Sequence, residues 1–275
     1  MKLKLRIVLV ILAALATMAP VCVLAGGNTS TISSSIELSD EVLVEVFGEN
    51  AEIRIHRVST RTLELDVTLH NEEFVDFYTQ ALTPEPTDHF VISATTSTGG
   101  TTTANSLIEI GIPRDVELVV QTTNRPISVD TVDLASASLT TVNGEISVTN
   151  SSGNYDINTT NSEVTIQSVD GDVNVTTTNA HVWFEGVVSG GTSSISTTNG
   201  DIAVRLNNGS DANVTGSTHN GEVTINGGDE GVAKDGDKFT FEHRIEDGAA
   251  TFNITNGPGA VHINPDAIAV FDGDS

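Results

Sequence analysis

From residue 116 onward, apolar and polar positions alternate with a period of two, in short runs that stop and restart about every twenty residues. Alternation of this kind marks a β-strand with one buried face. The runs align on an asparagine, as in TTNRPISV (122–129), TVNGEISV (141–148) and TTNGDIAV (197–204). The anchors Asn124, Asn143, Asn161, Asn179, Asn199 and Asn220 are 19, 18, 18, 20 and 21 residues apart. Three and five residues after each anchor stand Ile127 and Val129, Ile146 and Val148, Val164 and Ile166, Val182 and Phe184, Ile202 and Val204, and Val223 and Ile225. Six and four residues before it a second strand is predicted, through Leu118 and Val120, Ala137 and Leu139, Tyr155 and Ile157, Val173 and Val175, and Ser193 and Ile195.

Each unit therefore buries only about four side chains, too few to offset the entropy of ordering it alone. Stacking the units into a continuous core removes the deficit, as in solenoid proteins. The predicted fold is all-β, a parallel β-helix or β-solenoid with one coil of 18–21 residues per repeat. A hairpin meander also uses Asn-Gly turns, but it leaves the fixed offset of two strands per repeat unexplained. Asn-Gly at 143, 199 and 220 predicts corners with positive φ, and its absence after Asn161 and Asn179 predicts strain there. Stacked anchors would lie about 4.8 Å apart, close enough for their amides to form a hydrogen-bonded structural ladder. Thr122, Thr141, Thr159, Thr177, Thr197 and Thr218, two residues earlier, predict a parallel threonine ladder.

Upstream, Val42–Val46, Ala51–Val58 and Thr62–Leu69 alternate and read as strands of less regular coils. Asn71 then opens a stretch in which Phe74, Phe77, Tyr78, Ala81 and Leu82 follow helical spacing, predicting a short capping helix over 72–82 that Pro84 and Pro86 stop. Thr95–Asn105 reads as a loop. Downstream, the next anchor is Asn256, after an acidic excursion over 227–238, and Val261 and Ile263 come two residues late for it.

Residues 1–25 carry Lys2, Lys4 and Arg6, then an apolar run from Ile7, then Val23-Leu24-Ala25. This is the pattern of a secretory signal peptide cut after Ala25, with an uncleaved anchor over 7–25 as the alternative. The cut would remove Cys22, the single cysteine, and leave no thiol chemistry and no membrane span in the mature chain. Lys plus Arg total 12 against 37 Asp plus Glu, a net charge of −25; after cleavage 9 basic residues face 37 acidic ones, giving −28. Such a balance excludes nucleic-acid and anionic-membrane partners, which need a cationic footprint. With 38% apolar but only 4% aromatic residues, the core is expected to be aliphatic.

Two residues after the anchors, on the outward face, stand Glu145, Glu163, His181, Asp201 and Glu222. In register they form one column, with Glu145 beside Glu163 and Asp201 beside Glu222. Like charges directly opposite are destabilising, so a Ca²⁺ ion or ambient salt is a candidate partner of this column. Carboxylates that splay into solvent are the plainer reading. The seven histidines lack metal-ligand spacing. Asp130, Asp133, Asp170 and Asp172 offer carboxylate pairs of glycosidase type, yet each suits a turn or an exposed strand position. The threonine columns raise ice binding as a third class, although Val142 and His219 interrupt them. Seven N-x-S/T sequons, at Asn28, Asn150, Asn158, Asn174, Asn208, Asn213 and Asn253, are expected largely from the Asn- and Thr-rich composition.

Leu107–Pro113, Val116–Val120, Thr122-Thr-Asn124 and the repeated T-x-N-G-[ED]-[IV]-x-[VI] units together resemble the adhesin domain of secreted and envelope-attached bacterial and archaeal proteins. The likeness spans residues 40–265. It implies a β-helical domain at the cell surface with no assigned catalytic residues. The expected organisation is a signal peptide (1–25), N-terminal β coils (26–106), the repetitive β-solenoid (107–265) and a tail (266–275). The expected function is a secreted or surface non-catalytic adhesive or structural module, neither enzyme nor cofactor-binding, whose partner is a glycan or envelope protein.

Overall fold

The computed structural model describes residues 22–26, 29–71, 75–83, 86–96, 105–225 and 231–264. The pairs of side chains predicted to point inward do so: from Leu118 and Val120 through Val223 and Ile225, each is at most 5% exposed. Tyr155 and Phe184 are the large members of the set, and both are fully buried. The described residues are all-β, with parallel and antiparallel pairings, and they fall into two compact units, Met1–Gly144 and Glu145–Ser275.

The first unit holds β1 (Cys22–Gly26), β2 (Thr29–Gly48), β3 (Ala51–Arg57), β4 (Thr62–His70), β5 (Val75–Ala81), β6 (Thr87–Thr96), β7 (Asn105–Ile112), β8 (Val116–Gln121), β9 (Ile127–Asp130) and β10 (Asp133–Thr140). One column of parallel strands runs β6, β2, β8, β10, using the second half of β2. A second runs β7, β3, β9. The segment β2–β3 is therefore a complete coil lying between β6–β7 and β8–β9, although it precedes both in the chain. Antiparallel strands finish the columns: β5 pairs with β6, while β4 pairs with β7 and with the first half of β2, which also pairs with β1.

The second unit holds β11 (Ile146–Thr149), β12 (Ser152–Asn158), β13 (Val164–Asp170), β14 (Val173–Thr177), β15 (Val182–Val187), β16 (Thr192–Thr197), β17 (Ile202–Leu206), β18 (Ala212–His219), β19 (Val223–Ile225), β20 (Val232–Asp235), β21 (Lys238–Ile245), β22 (Ala250–Asn256) and β23 (Val261–Ile263). One parallel column runs β12, β14, β16, β22, β18, and the other β11, β13, β15, β17, β23, β19. The columns face one another across the core. Phe184 of β15 meets Phe252 of β22 edge to face, with centroids 5.3 Å apart and planes at 73°. Antiparallel β21, backed by β20, closes the β18 edge.

Stacking in chain order is thus corrected at both ends. The coil after β16–β17 is β22–β23, and β18–β19 lies beyond it. The register also resolves the late Val261 and Ile263. Thr197 pairs with Asn256 and Ile202 with Val261, so the residue level with the anchor Asn199 is Pro258. Counted from Pro258, Phe252, Ile254, Val261 and Ile263 fall at the regular inward positions, and all four are buried. Asn256 takes the inner threonine position of its coil and is itself 3% exposed.

The predicted helix over 72–82 is also corrected. Val75–Ala81 is a strand antiparallel to β6, while 72–74 lie outside the described residues. Phe77 is buried and its neighbour Tyr78 is 40% exposed, which is strand alternation rather than a helical face. The physical reason is the open edge of β6, whose backbone groups gain partners from a strand and would gain none from a helix. Of the loop read over Thr95–Asn105, the ends are strand, since β6 runs through Thr96 and β7 begins at Asn105, while 97–104 lie outside the described residues.

If β22 is a full member of the core, Phe252→Ala lowers the unfolding free energy by about 3–5 kcal/mol. Chemical denaturation monitored by circular dichroism checks this, and a loss below about 1 kcal/mol is incompatible with a coil packed on both sides.

Candidate functional site

Each anchor sits where the first strand of a coil turns into the second, so in-register pairing lifts the anchors into line. Two hydrogen-bonded runs of amides result. In the first unit Asn143 Nδ2 donates to Asn124 Oδ1 (2.9 Å), and Asn124 Nδ2 donates to Asn50 Oδ1 (2.8 Å). In the second unit Asn199 Nδ2 donates to Asn179 Oδ1 and Asn179 Nδ2 to Asn161 Oδ1, each at 2.9 Å. Asn50 was missed by the sequence reading, yet its signal is present: Ile53 and Ile55 stand three and five residues after it, and Val44 and Val46 six and four before. Asn220 shows no such bond among the described residues, since the coil below it carries Pro258 at the anchor position.

The predicted positive-φ corner is corrected too. Of the six anchors only Asn220 has a positive φ, 59°, and neither Gly144 nor Gly200 lies in the left-handed region. Glycine is required there for close approach: a Cβ on Gly144 would run into the carbonyl of Arg125, and one on Gly200 into that of Ala180. Asn161 and Asn179, followed by Ser162 and Ala180, turn with negative φ and no backbone strain. The left-handed residues stand at the opposite corner instead, as Thr131 in the first unit and as Asn150 and Ser168 in the second (φ 57°, 50° and 55°).

All six predicted threonines are buried, a placement that removes this column as a water-ordering face. Thr122 Oγ1 donates to Ala51 O (3.1 Å) and Thr197 Oγ1 to Ala180 O (3.2 Å), while Thr141 Oγ1 accepts from Gly144 N (3.1 Å). Thr218 Oγ1 lies 2.7 and 2.8 Å from the carbonyls of Gly257 and Gly259. Thr159 and Thr177 differ: their buried hydroxyls have no hydrogen-bond partner among the described residues.

The outward column of acids forms with one change of order. The backbone N–H groups of Ile146, Val164, Val182, Ile202 and Val261 donate to the carbonyls of Glu163, His181, Asp201, Ala260 and Glu222. Glu145 and Glu163 are thus neighbours, as expected, but Ala260 separates Asp201 from Glu222. Asp201 is held on both sides: its N–H donates to His181 Nδ1 (2.9 Å), and its Oδ1 accepts from Ala260 N (2.6 Å). Among the described residues no three or more His, Cys, Asp or Glu side chains come together as a metal site. Of the carboxylates weighed for hydrolysis, Asp133 is engaged by Arg57 (2.9 Å) and Arg114 (3.5 Å). Arg54 pairs with Glu52 and Glu109, and the hydrogen bond and charge of Glu52 push its guanidinium further up from its ordinary value.

Outside the β12–β14–β16–β22–β18 column lies a face of small polar groups. Asp156, Asn174, Ser194, Asn253 and Thr215 follow one another in register. Ser194 Oγ donates to Asn174 Oδ1 (2.8 Å) and Thr215 Oγ1 to Asn253 Oδ1 (3.0 Å). Trp183, the single tryptophan, was also missed as a core residue. It points outward from β15 by alternation, yet it is 3% exposed, beside the fully buried Ala203.

A family model described as Toastrack DUF4097 matches residues 39–243. No curated protein matches the chain. Two crystal structures are similar over most of their length. One, a candidate cell adhesion protein from Clostridium sporogenes, is 13% identical and covers 86% of this chain and 98% of its own, with a TM-score of 0.40. The other, a candidate adhesin from Bacteroides fragilis, is 6% identical and covers 85% and 96%, also at 0.40. No helix among the described residues is long and apolar enough to cross a membrane.

Two substitutions separate satisfied from unsatisfied rungs. Thr159→Val replaces an unpartnered buried hydroxyl by a methyl and stabilises by about 0.5–1 kcal/mol, whereas Thr218→Val strips a bond from the half-buried carbonyls of Gly257 and Gly259 and destabilises by about 1–2 kcal/mol. Denaturant midpoints of the two variants should move in opposite directions. Asn199→Asp tests the amide ladder through pH. Its carboxylate cannot donate to Asn179 Oδ1, and the next coil carries Pro258 rather than an amide donor at the anchor level, so the charged form is disfavoured in the folded state and the folded pKa rises above the ordinary value of about 3.9. Stability is then present below that value and falls by about 1–2 kcal/mol as pH rises through the folded pKa. Thermal melting of Asn199→Asp against wild type between acid and neutral pH measures it.

Proposed function

The chain belongs to the Toastrack DUF4097 family, and from that premise we propose that it is a secreted or surface-attached, non-catalytic module built on a parallel β-helix. The observation that carries the reading is the in-register face Asp156, Asn174, Ser194, Asn253 and Thr215. Beyond the carboxylate of Asp156 at one end, it repeats small hydroxyl and amide groups from strand to strand on a rigid backbone, an arrangement that displays rather than encloses. Amides and hydroxyls supply donors and acceptors without charge, which suits a neutral glycan or a polar envelope protein. Export fits the lysine- and arginine-bearing apolar leader of residues 1–25, which lie outside the described residues except for Cys22–Ala25 in β1. Cleavage after Ala25 takes with it most of the strand that pairs with Thr29–Ser33.

The test is an affinity screen of the purified chain against immobilised glycans, peptidoglycan and envelope proteins, with Asn174→Ala/Asn253→Ala as the paired variant. Saturable binding to one class, weakened about tenfold or more by the pair, supports the reading. Binding unaffected by the pair moves the contact to another face, and turnover of a bound polysaccharide overturns the non-catalytic assignment.

A further inference from the structure

Five Asn-Gly pairs lie among the described residues, at 143, 199, 208, 220 and 256. The Asn-Gly peptide is chemically the least durable in a protein. The glycine nitrogen attacks the asparagine side-chain carbonyl, a C–N bond forms to give a five-membered succinimide, and the side-chain nitrogen leaves as ammonia with the displaced proton. Water then opens the ring to aspartate or isoaspartate. The step needs a side-chain amide free to rotate and a glycine nitrogen free to approach it.

The stacked corners hold the side-chain amide, and at two of them the glycine nitrogen as well. Asn143 donates its amide to Asn124, and the N–H of Gly144 donates to Thr141 Oγ1 at 3.1 Å. Asn199 donates its amide to Asn179. Asn256 is buried and donates its amide to Ala260 O (3.1 Å), while the N–H of Gly257 donates to Thr197 O (3.1 Å). Asn208 and Gly209 are different. They occupy the middle of the turn that joins β17 to β18, closed by Ser210 N donating to Asn207 O (3.1 Å), with Gly209 at φ 99°. Both residues are exposed, and the only atom near a Cβ placed on Gly209 is a Val187 methyl 3.8 Å away. Asn220 is intermediate. Its side chain is exposed, but the glycine after it is packed against the carbonyl of Gly259.

We propose that Asn208-Gly209 is a site of spontaneous deamidation, and that the amide ladder shields the Asn-Gly pairs of the stacked corners from the same reaction. Deamidation at Asn208 adds a carboxylate, or an isoaspartyl kink, to an exposed turn, and the fold survives it. The same event at Asn143 or Asn199 turns an amide donor into an acceptor and breaks a rung. Stacking thereby protects the groups that hold it together, since a ladder amide reacts only after its coil opens.

Timed incubation of the full chain at mildly alkaline pH, followed by peptide mapping with mass spectrometry, tests this in an Asn226→Gln background that silences the Asn-Gly pair outside the described residues. Asn208 is expected to convert at least about tenfold faster than Asn143, Asn199 or Asn256, with Asn220 between. In concentrated guanidinium the five rates should converge to within about threefold, because the fold no longer separates them. Asn124→Ala, which removes one partner of Asn143, is expected to accelerate conversion at Asn143 while leaving Asn199 and Asn208 unchanged; a variant that unfolds would instead accelerate Asn199 as well. The proposal is overturned if Asn143 or Asn199 keeps pace with Asn208 in the folded chain, or if the spread of rates persists in the denatured one.

Discussion

Parallel strand pairing in exact register is the constraint on which the rest of this molecule depends. It puts the same position of successive coils about 4.8 Å apart, and every residue at that position then meets a copy of its own environment. An inward valine finds another valine above it, which is why a core with so few aromatics can be dry and continuous. An asparagine amide finds another amide at hydrogen-bonding distance, so one residue type serves the runs Asn50–Asn124–Asn143 and Asn161–Asn179–Asn199. A buried threonine finds a carbonyl at Thr122, Thr197 and Thr218 and an N–H at Thr141, but no partner among the described residues at Thr159 and Thr177. At those two positions the repeat carries an unsatisfied hydroxyl that packing alone must offset.

Register also explains how the ends are treated. A stack of parallel strands leaves an open edge at each end, a template for pairing with other chains. Here a segment from each end of the chain is drawn one coil inward: β2–β3 lies between two later coils, and β22–β23 lies between two earlier ones. Each is hydrogen-bonded on both sides. Outside β6–β7 and β18, antiparallel strands take the next positions, β4 and β5 in one unit and β20 and β21 in the other. The exposed β20 carries Lys234 and Asp235, charges that discourage further pairing. This arrangement costs loop closure over long separations and slows folding. In exchange the sequence-remote segments are fixed from two sides and do not fray.

How much of this was legible follows from the same physics. Positions whose role is set by local alternation were readable: the inward pairs around Asn143, Asn161, Asn179 and Asn199 are all buried, and the amide ladder follows from the anchor spacing. What alternation cannot carry is the order in which coils stack, because an inward valine is equally content above any other inward valine. Hence the exchange of β18–β19 and β22–β23 was invisible, and with it the level of Pro258 and the isolation of Asn220. The helix read over 72–82 failed for a related reason. Phe77, Tyr78, Ala81 and Leu82 fit a helical period over a short window, and the unpaired edge of β6 decided for a strand. Asn50 was overlooked because the residue after it is alanine and no threonine precedes it, so the motif was faint although its aliphatic offsets were complete. Trp183 was unreadable, since its burial on the outward side of β15 depends on tertiary cover that no alternation records.

The outer acids show one topological choice serving two ends. In chain-order stacking, Asp201 and Glu222 would be adjacent rungs, with a repulsion of about 1 kcal/mol in water and more near the protein surface. Drawing β22–β23 between them places the neutral Ala260 in the column, and its N–H donates to Asp201 Oδ1 at 2.6 Å. The insertion that buries Phe252 against Phe184 thus also converts a like-charge contact into a charge-assisted hydrogen bond. On the other side His181 intervenes between Glu163 and Asp201, accepting the Asp201 N–H. Of the adjacent acid pairs the sequence implies, Glu145 beside Glu163 is the one that persists, and both side chains are exposed to water and salt. Among the described residues no Asp or Glu is buried, so the acids lie outside the core with little penalty from register. A cation was one candidate partner of the column in chain-order stacking, and the order actually adopted separates Asp201 from Glu222 by a neutral rung.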